Sequence, residues 1–174
     1  LKYLGEAALA RISIHRGDIT EKWFIDELIQ RELFDQVFHL AAQSSVAHSI
    51  EHPRATIDTN VLGLTNIATS IRDRSPKTKL LFTGSSEMFG NLTDGKQSEH
   101  TPRHPQSPYG LTKDFGFQLI NAYRNHYGLW AATAILFNHE SEFRGEQFVT
   151  KKIIQSVARI ADGRDEVLSL GNIY

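Results

Sequence analysis

Ser85 and Glu87 lie two apart in Thr83-Gly84-Ser85-Ser86-Glu87, and Tyr109 and Lys113 lie four apart one loop later. Together they supply a hydroxyl, a carboxylate and a phenol–ammonium pair. Such groups can oxidise a sugar alcohol and then eliminate water. Oxidation needs only the serine, the tyrosine and the lysine, so the added Glu87 points to dehydration. A free tyrosine titrates near ~10, and an ammonium close by favours the phenolate and lowers that value. Lys113 is therefore expected to lower the Tyr109 pKa, making it a base for a substrate hydroxyl while hydride leaves the same carbon. A Tyr-xxx-Lys spacing alone is common by chance. Its position after a Ser-rich strand end gives it weight against the bland reading, in which Ser85 and Ser86 shape a turn and Glu87 is solvated.

These groups need elements to hold them. Ser107-Pro108 reads as a helix start, with Ser as N-cap and Pro at the first helical position, so Tyr109 and Lys113 share one face. Lys79–Thr83 is a short apolar strand ending at Gly84-Ser85-Ser86, and ligands of open parallel sheets bind beyond such carboxyl ends. Elsewhere strand and helix patterns alternate. Arg11–His15 and Val37–Ala42 read as strands. Thr20 reads as the cap of a helix carrying Phe24, Ile25, Leu28, Ile29 and Leu33. Pro53 opens another, with Ile57, Val61, Leu64, Ala68 and Ile71 on one face. Ala132–Phe137 is a further strand, a last helix carries Val149, Ile153, Val157 and Ile160, and Leu168–Leu170 starts one more strand. The alternation predicts an α/β domain, a Rossmann-like doubly wound parallel sheet with helices on both faces. The polar stretch from Asn91 to Gln106, between Glu87 and Tyr109, is long enough to be a substrate cover.

Bulk properties exclude several classes. The chain has 174 residues, a net charge of −1 and no cysteine. Its pI is near 6.8 and its mean hydropathy is −0.32. These leave no basic footprint for nucleic acid, no disulfide or thiolate metal site, and no apolar run of membrane-spanning length. A cytoplasmic location is the expectation. Of the eight histidines, His48 and His52 fall at a helix start before Pro53. His100 and His104 sit in a Pro-containing loop with no obvious third ligand, and no metal is assigned. His39, in an apolar strand, reads as a core residue.

Several runs resemble the extended short-chain dehydrogenase/reductases, and within them the branch that dehydrates GDP-mannose. They are Gly17-Asp18-Ile19-Thr20, Leu40-Ala41-Ala42-Gln43-Ser44, Ser85-Ser86-Glu87-Met88-Phe89-Gly90, Ser107-Pro108-Tyr109-Gly110 with Lys113, Leu136-Phe137-Asn138-His139-Glu140-Ser141, Phe148–Ile153 and Ser169-Leu170-Gly171-Asn172. The run through His139-Glu140 discriminates best against related reductases and epimerases. The resemblance implies NADP as cofactor. Asp18 and Ile19 would lie at its adenine end, and Leu40, Ala41, Ala42, Gln43 and Ser44 along its phosphates and ribose. Tyr109, Lys113, His139 and Arg144 would complete its site. It implies a nucleotide-sugar substrate, GDP-mannose, held by Ser85, Ser86, Glu87, Asn138, Val149 and Lys152. Ser85, Glu87, Tyr109 and Lys113 would be catalytic. It also implies a homo-oligomer, a dimer or tetramer. Alternatives are a nucleotide-sugar reductase or epimerase, and a non-catalytic Rossmann-like fragment.

The family's first two strands, its Gly-rich phosphate turn and its C-terminal substrate region have no counterpart in these 174 residues. In the doubly wound order, Arg11–His15 would be third and Val37–Ala42 fourth, with two strands between them. That leaves a gap of roughly 14 Å, counted as three inter-strand steps of ~4.8 Å. A sheet cannot leave so many backbone groups unpaired. The expectation is a partial dinucleotide-binding domain, a portion of a longer polypeptide.

Overall fold

The computed structural model describes residues 5–92, 95–146, 148–164 and 167–170, and the chain divides into two compact units, Leu1–Leu136 and Phe137–Tyr174. The first unit is built on three strands, β1 (Gln36–His39), β2 (Lys79–Thr83) and β3 (Ala131–Ala134), all parallel and ordered β1-β2-β3. Val37 pairs with Leu80, and Leu80 with Ala131. Parallel neighbours require crossovers. The first runs through α3 (Val46–Glu51), α4 (Pro53–Ile57), a π-helical turn (Asp58–Leu62) and α5 (Gly63–Arg74). The second contains α6 (Pro108–Tyr127). α1 (Glu6–Leu9) and α2 (Lys22–Glu32) precede β1.

The alternation of β2 decides which face carries the core. Leu80 and Phe82 are 0% and 2% exposed. They cluster with Ile25 and Ile29 of α2, Leu64, Ile67, Ala68 and Ile71 of α5, and Ile120 and Tyr123 of α6. Gly116 lets α6 lie directly on the sheet, since a β-carbon there would sit 2.3 Å from the Phe82 ring. The helix starts as its sequence dictates. The Ser107 hydroxyl accepts from the Gly110 N–H at 3.0 Å, Pro108 occupies the first turn, and Gly128 ends the helix at φ 63°. The other face of the sheet carries Phe38, which is 60% exposed.

Arg11–His15 is not a strand; residues 12–18 are irregular. A strand exists through its ladder, and among the described residues no neighbour offers this segment one. His15, Gly17 and Ile19 instead line an open groove together with Val37, Phe38 and His39 of β1. Thr20 is not the cap of α2, which is Glu21 without a side-chain cap bond. The Thr20 backbone N–H and hydroxyl both donate to Asp18 Oδ1, at 2.8 Å each, so Thr20 belongs to the Asp18 turn. β1 stops at His39, leaving Leu40–Ala42 as loop, and β3 ends before Ile135. Among the described residues, no helix is long and apolar enough to cross a membrane.

The second unit contains α7 (Val149–Ala161), which ends at Asp162 with Gly163 at φ 76°. The strand expected at Leu168–Leu170 is irregular there, and among the described residues no strand pairs with it. Gly171 and Asn172 of the same motif lie outside the described residues.

Candidate active site

The end of β2 and the start of α6 build the site between them. The ladder continues past β2 and β3, with Gly84 N–H donating to Ala134 O at 2.8 Å and Ser86 N–H to Leu136 O at 2.9 Å. That holds the Gly84–Ser86 turn at the carboxyl end of the sheet. Ser85 then caps a single 3₁₀ turn, Ser86–Met88, its hydroxyl accepting from the Glu87 N–H at 3.2 Å. Met88 and Phe89, 0% and 2% exposed, anchor this turn. Gly110 allows the N-terminus of α6 to seat against it, because a β-carbon there would lie 2.7 Å from the Glu87 carbonyl oxygen. Ser85, Ser86, Glu87 and Tyr109 are thereby brought together.

The electrostatics differ from the expected phenol–ammonium pair. Burial raises the Tyr109 pKa, the Ser85 hydroxyl hydrogen-bonded to the phenol works in the opposite direction, and the Glu87 carboxylate raises it again. The expectation that Lys113 lowers the phenol pKa is therefore corrected. The Lys113 ammonium donates to the Thr83 carbonyl at 2.7 Å and lies 5.8 Å from the Tyr109 ring centroid. Burial pushes its pKa down to about 8. His39 is the core residue the sequence suggested. It stacks on Phe82 at 6.0 Å, and burial, with Lys113 nearby, depresses its pKa to about 4.

A relay missed by the sequence reading ties the loop after β1 to α6. Asn60 accepts from Gln43 N–H at 2.9 Å and donates to Gln43 O at 3.0 Å and to the Thr112 hydroxyl at 2.9 Å. Thr112 in turn donates to the Tyr109 carbonyl at 2.8 Å. Asn60 sits in the π-helical turn and is 4% exposed. A π-turn widens the backbone spiral and often marks a functional position. The available signal was a buried amide on the apolar face that carries Ile57, Val61 and Leu64.

Other predicted residues fall on neighbouring loops. Asp18 is exposed, its carboxylate pKa lowered by the hydrogen bond from the Thr20 backbone N–H and then by the Thr20 hydroxyl. Ile19 is tied to α5 through Asn66, which donates to the Ile19 and Thr20 carbonyls at 3.0 and 2.9 Å. Leu40, Ala41 and Ser44 are exposed, with Ala42 and Gln43 half-buried. Because β1 and β2 are parallel, Leu40–Ser44 lies at the same sheet end as Ser85.

The second unit holds Asn138, His139, Arg144, Val149 and Lys152. His139 Nδ1 contacts Phe137 O at 2.8 Å. Arg144 pairs with Glu140 at 3.4 Å and lies over the Phe148 ring at 3.6 Å. Lys152 donates to Ser169 O. Asn138 and Val149 are exposed. Lys151, which donates to Glu142 O at 3.0 Å, joins Arg144 in lining a small cavity of this unit.

Chemically, a buried phenol bonded to a hydroxyl can exchange a proton with a substrate alcohol, and a carboxylate beside it can serve a neighbouring carbon. A parallel sheet whose strand ends gather serine, tyrosine and lysine in this way is that of an extended short-chain dehydrogenase/reductase. RMD from Pseudomonas aeruginosa, solved with NADPH, superposes with a TM-score of 0.80 at 26% identity, over 91% of this chain and 56% of its own. UDP-glucose 4-epimerase from Thermus thermophilus, solved with NAD, shares the fold at a TM-score of 0.79 and 22% identity, over 93% and 51%. The family model described as GDP-mannose 4,6 dehydratase matches residues 3–174, and the chain belongs to that family. A GDP-mannose 4,6-dehydratase of Vibrio cholerae is 38% identical over 94% of this chain and 45% of its own length. The chain spans about half the length of the curated relatives it matches.

Proposed function

We propose that the whole protein is an NADP-dependent GDP-mannose 4,6-dehydratase, a hydro-lyase that yields the 4-keto-6-deoxy sugar. The observation that carries this reading is the placement of Glu87 beside Ser85 and Tyr109 at the carboxyl end of the sheet. Tyr109 Oη takes the proton of the sugar O4, with the Ser85 hydroxyl hydrogen-bonded to the same oxygen. Lys113 holds the ribose next to the reacting carbon. Bound NADP supplies the hydride acceptor for C4 and the hydride donor for C6. Oxidation at C4 acidifies the C5 hydrogen. Glu87 removes that proton and passes a proton to the departing C6 hydroxyl, acting first as base and then as acid.

The residues present fit a nicotinamide dinucleotide at two places. The exposed Asp18 carboxylate offers an acceptor for the adenine end. The Lys113 ammonium, buried beneath Thr83, fits the nicotinamide ribose. In this reading Ile19 and Leu40–Ser44 line the span between them, and the family resemblance assigns His139 and Arg144 to the cofactor as well. Ser85, Ser86 and Glu87 meet the nucleotide sugar, to which the resemblance also assigns Asn138, Val149 and Lys152. A homo-oligomer, dimer or tetramer, and a cytoplasmic location belong to the same proposal, the former testable by sedimentation.

The test uses the complete polypeptide with GDP-mannose. Glu87→Gln is expected to build up reduced cofactor and form no 6-deoxy product, whereas Tyr109→Phe stops both steps. Product formation by Glu87→Gln at the wild-type rate would remove Glu87 as the elimination base.

A further inference from the structure

His48, Glu51 and His52 each present a ligand atom within 4.8 Å of the other two, on an exposed face. The sequence shows two histidines four apart; the fold adds the carboxylate. The His52 N–H donates to His48 O at 2.8 Å, closing the helical turn at the end of α3. That turn stacks His52 over His48, with Glu51 on the same side. The two imidazole centroids are 4.6 Å apart with the rings tilted 49°. None of the three has a part in the chemistry proposed above.

We propose that His48, Glu51 and His52 form a surface site for one divalent transition ion of the zinc class, with water as fourth ligand. Two imidazoles and one carboxylate suit such an ion, whereas magnesium and calcium prefer oxygen donors alone. Tetrahedral zinc with bonds of about 2.0–2.1 Å sets its ligand atoms roughly 3.3 Å apart. Closing the present separation therefore takes side-chain rotations that move the ligand atoms together by up to about 1.5 Å, and all three side chains are exposed. The closest cation in sequence, Arg54, is held by Asp58 at 2.7 Å.

The ion would clip α3 to the residue that precedes Pro53. That junction also carries structure. Ser45 Oγ accepts from His48 N–H at 3.2 Å, and Gln43 Nε2 donates to Thr56 Oγ1 at 2.9 Å. The site therefore braces the helix pair that follows the Leu40–Ser44 loop. It shares no residue with the proposed catalytic group and stands or falls apart from it.

The experiment is calorimetric titration of the full chain with zinc chloride, with magnesium chloride in parallel and no nucleotide present. One zinc per chain and no heat from magnesium are expected. His48→Ala and His52→Ala should each weaken binding by at least about tenfold, the range reached even by disturbing a ligand's supporting shell. Glu51→Gln should weaken it too, and His100→Ala with His104→Ala should leave it unchanged. Circular dichroism verifies that each variant keeps its helix content. Wild-type affinity in either single histidine variant or in Glu51→Gln, loss of binding in the His100/His104 variant, or no zinc heat at all would overturn the site.

Discussion

Asn60→Ala tests whether one buried amide couples the loop after β1 to α6. The substitution deletes two hydrogen bonds to the Gln43 backbone and one to Thr112. Gln43 is half-buried, so water can replace its partners, and each of those bonds is worth about 0.5–1.5 kcal/mol net. Thr112 is 3% exposed, and its hydroxyl retains only its donation to Tyr109 O. Its stranded lone pair adds about 1 kcal/mol. The sum is roughly 3 kcal/mol, a fall in Tm of about 6–12 °C for a domain of this size. Urea unfolding of wild type, Asn60→Ala, Thr112→Val and the double variant measures this and isolates the pair. A coupling energy of about 1 kcal/mol is expected between the two sites. A loss below ~0.5 kcal/mol for Asn60→Ala, or strict additivity with Thr112→Val, would refute the relay.

Gly110→Ala forces a β-carbon to within 2.7 Å of Glu87 O, so it should destabilise the fold by about 1–3 kcal/mol in denaturant titration; unchanged stability would show that the helix start does not press on the Glu87 turn. Lys113 titrates near 8 rather than the usual 10.5. Between those values the unfolded chain holds a proton the folded chain has shed, so stability rises with pH across that window, by up to about 3 kcal/mol. The difference in stability between wild type and Lys113→Met should follow that rise, and a flat difference would contradict burial of the ammonium. Ser85 lowers the Tyr109 pKa through its hydrogen bond, so Ser85→Ala should move the rising, acidic limb of the C4-oxidation pH profile of the complete polypeptide to higher pH, because the base must be deprotonated to act; a profile that stays in place would remove that bond from the site.

Local chemistry made much of this protein legible before its fold was known. Ser107, Pro108 and Gly128 mark the ends of α6 because caps and positive-φ turns depend on residues within one helical turn. Lys79–Thr83 formed as read because its short apolar run packs Leu80 and Phe82 into the core. The pairing of Tyr109 with Lys113 on one helical face, and the arrival of Ser85 and Glu87 at a strand end, were likewise readable from spacing alone.

What depends on partners distant in sequence was not readable. Arg11–His15 has the alternation of a strand, yet a strand is made by its ladder, and no partner meets it among the described residues. Spacing placed an ammonium near the Tyr109 phenol, but burial and the Thr83 carbonyl decided its effect, and the phenol pKa rises. Asn60 looked like one polar residue on an apolar helix until the fold set Gln43 and Thr112 around its amide. Residue types and spacing thus determined which groups are available to react. Tertiary packing decided how each is solvated and to what it is bonded, because dielectric environment and hydrogen-bond partners come from segments the local sequence does not contain.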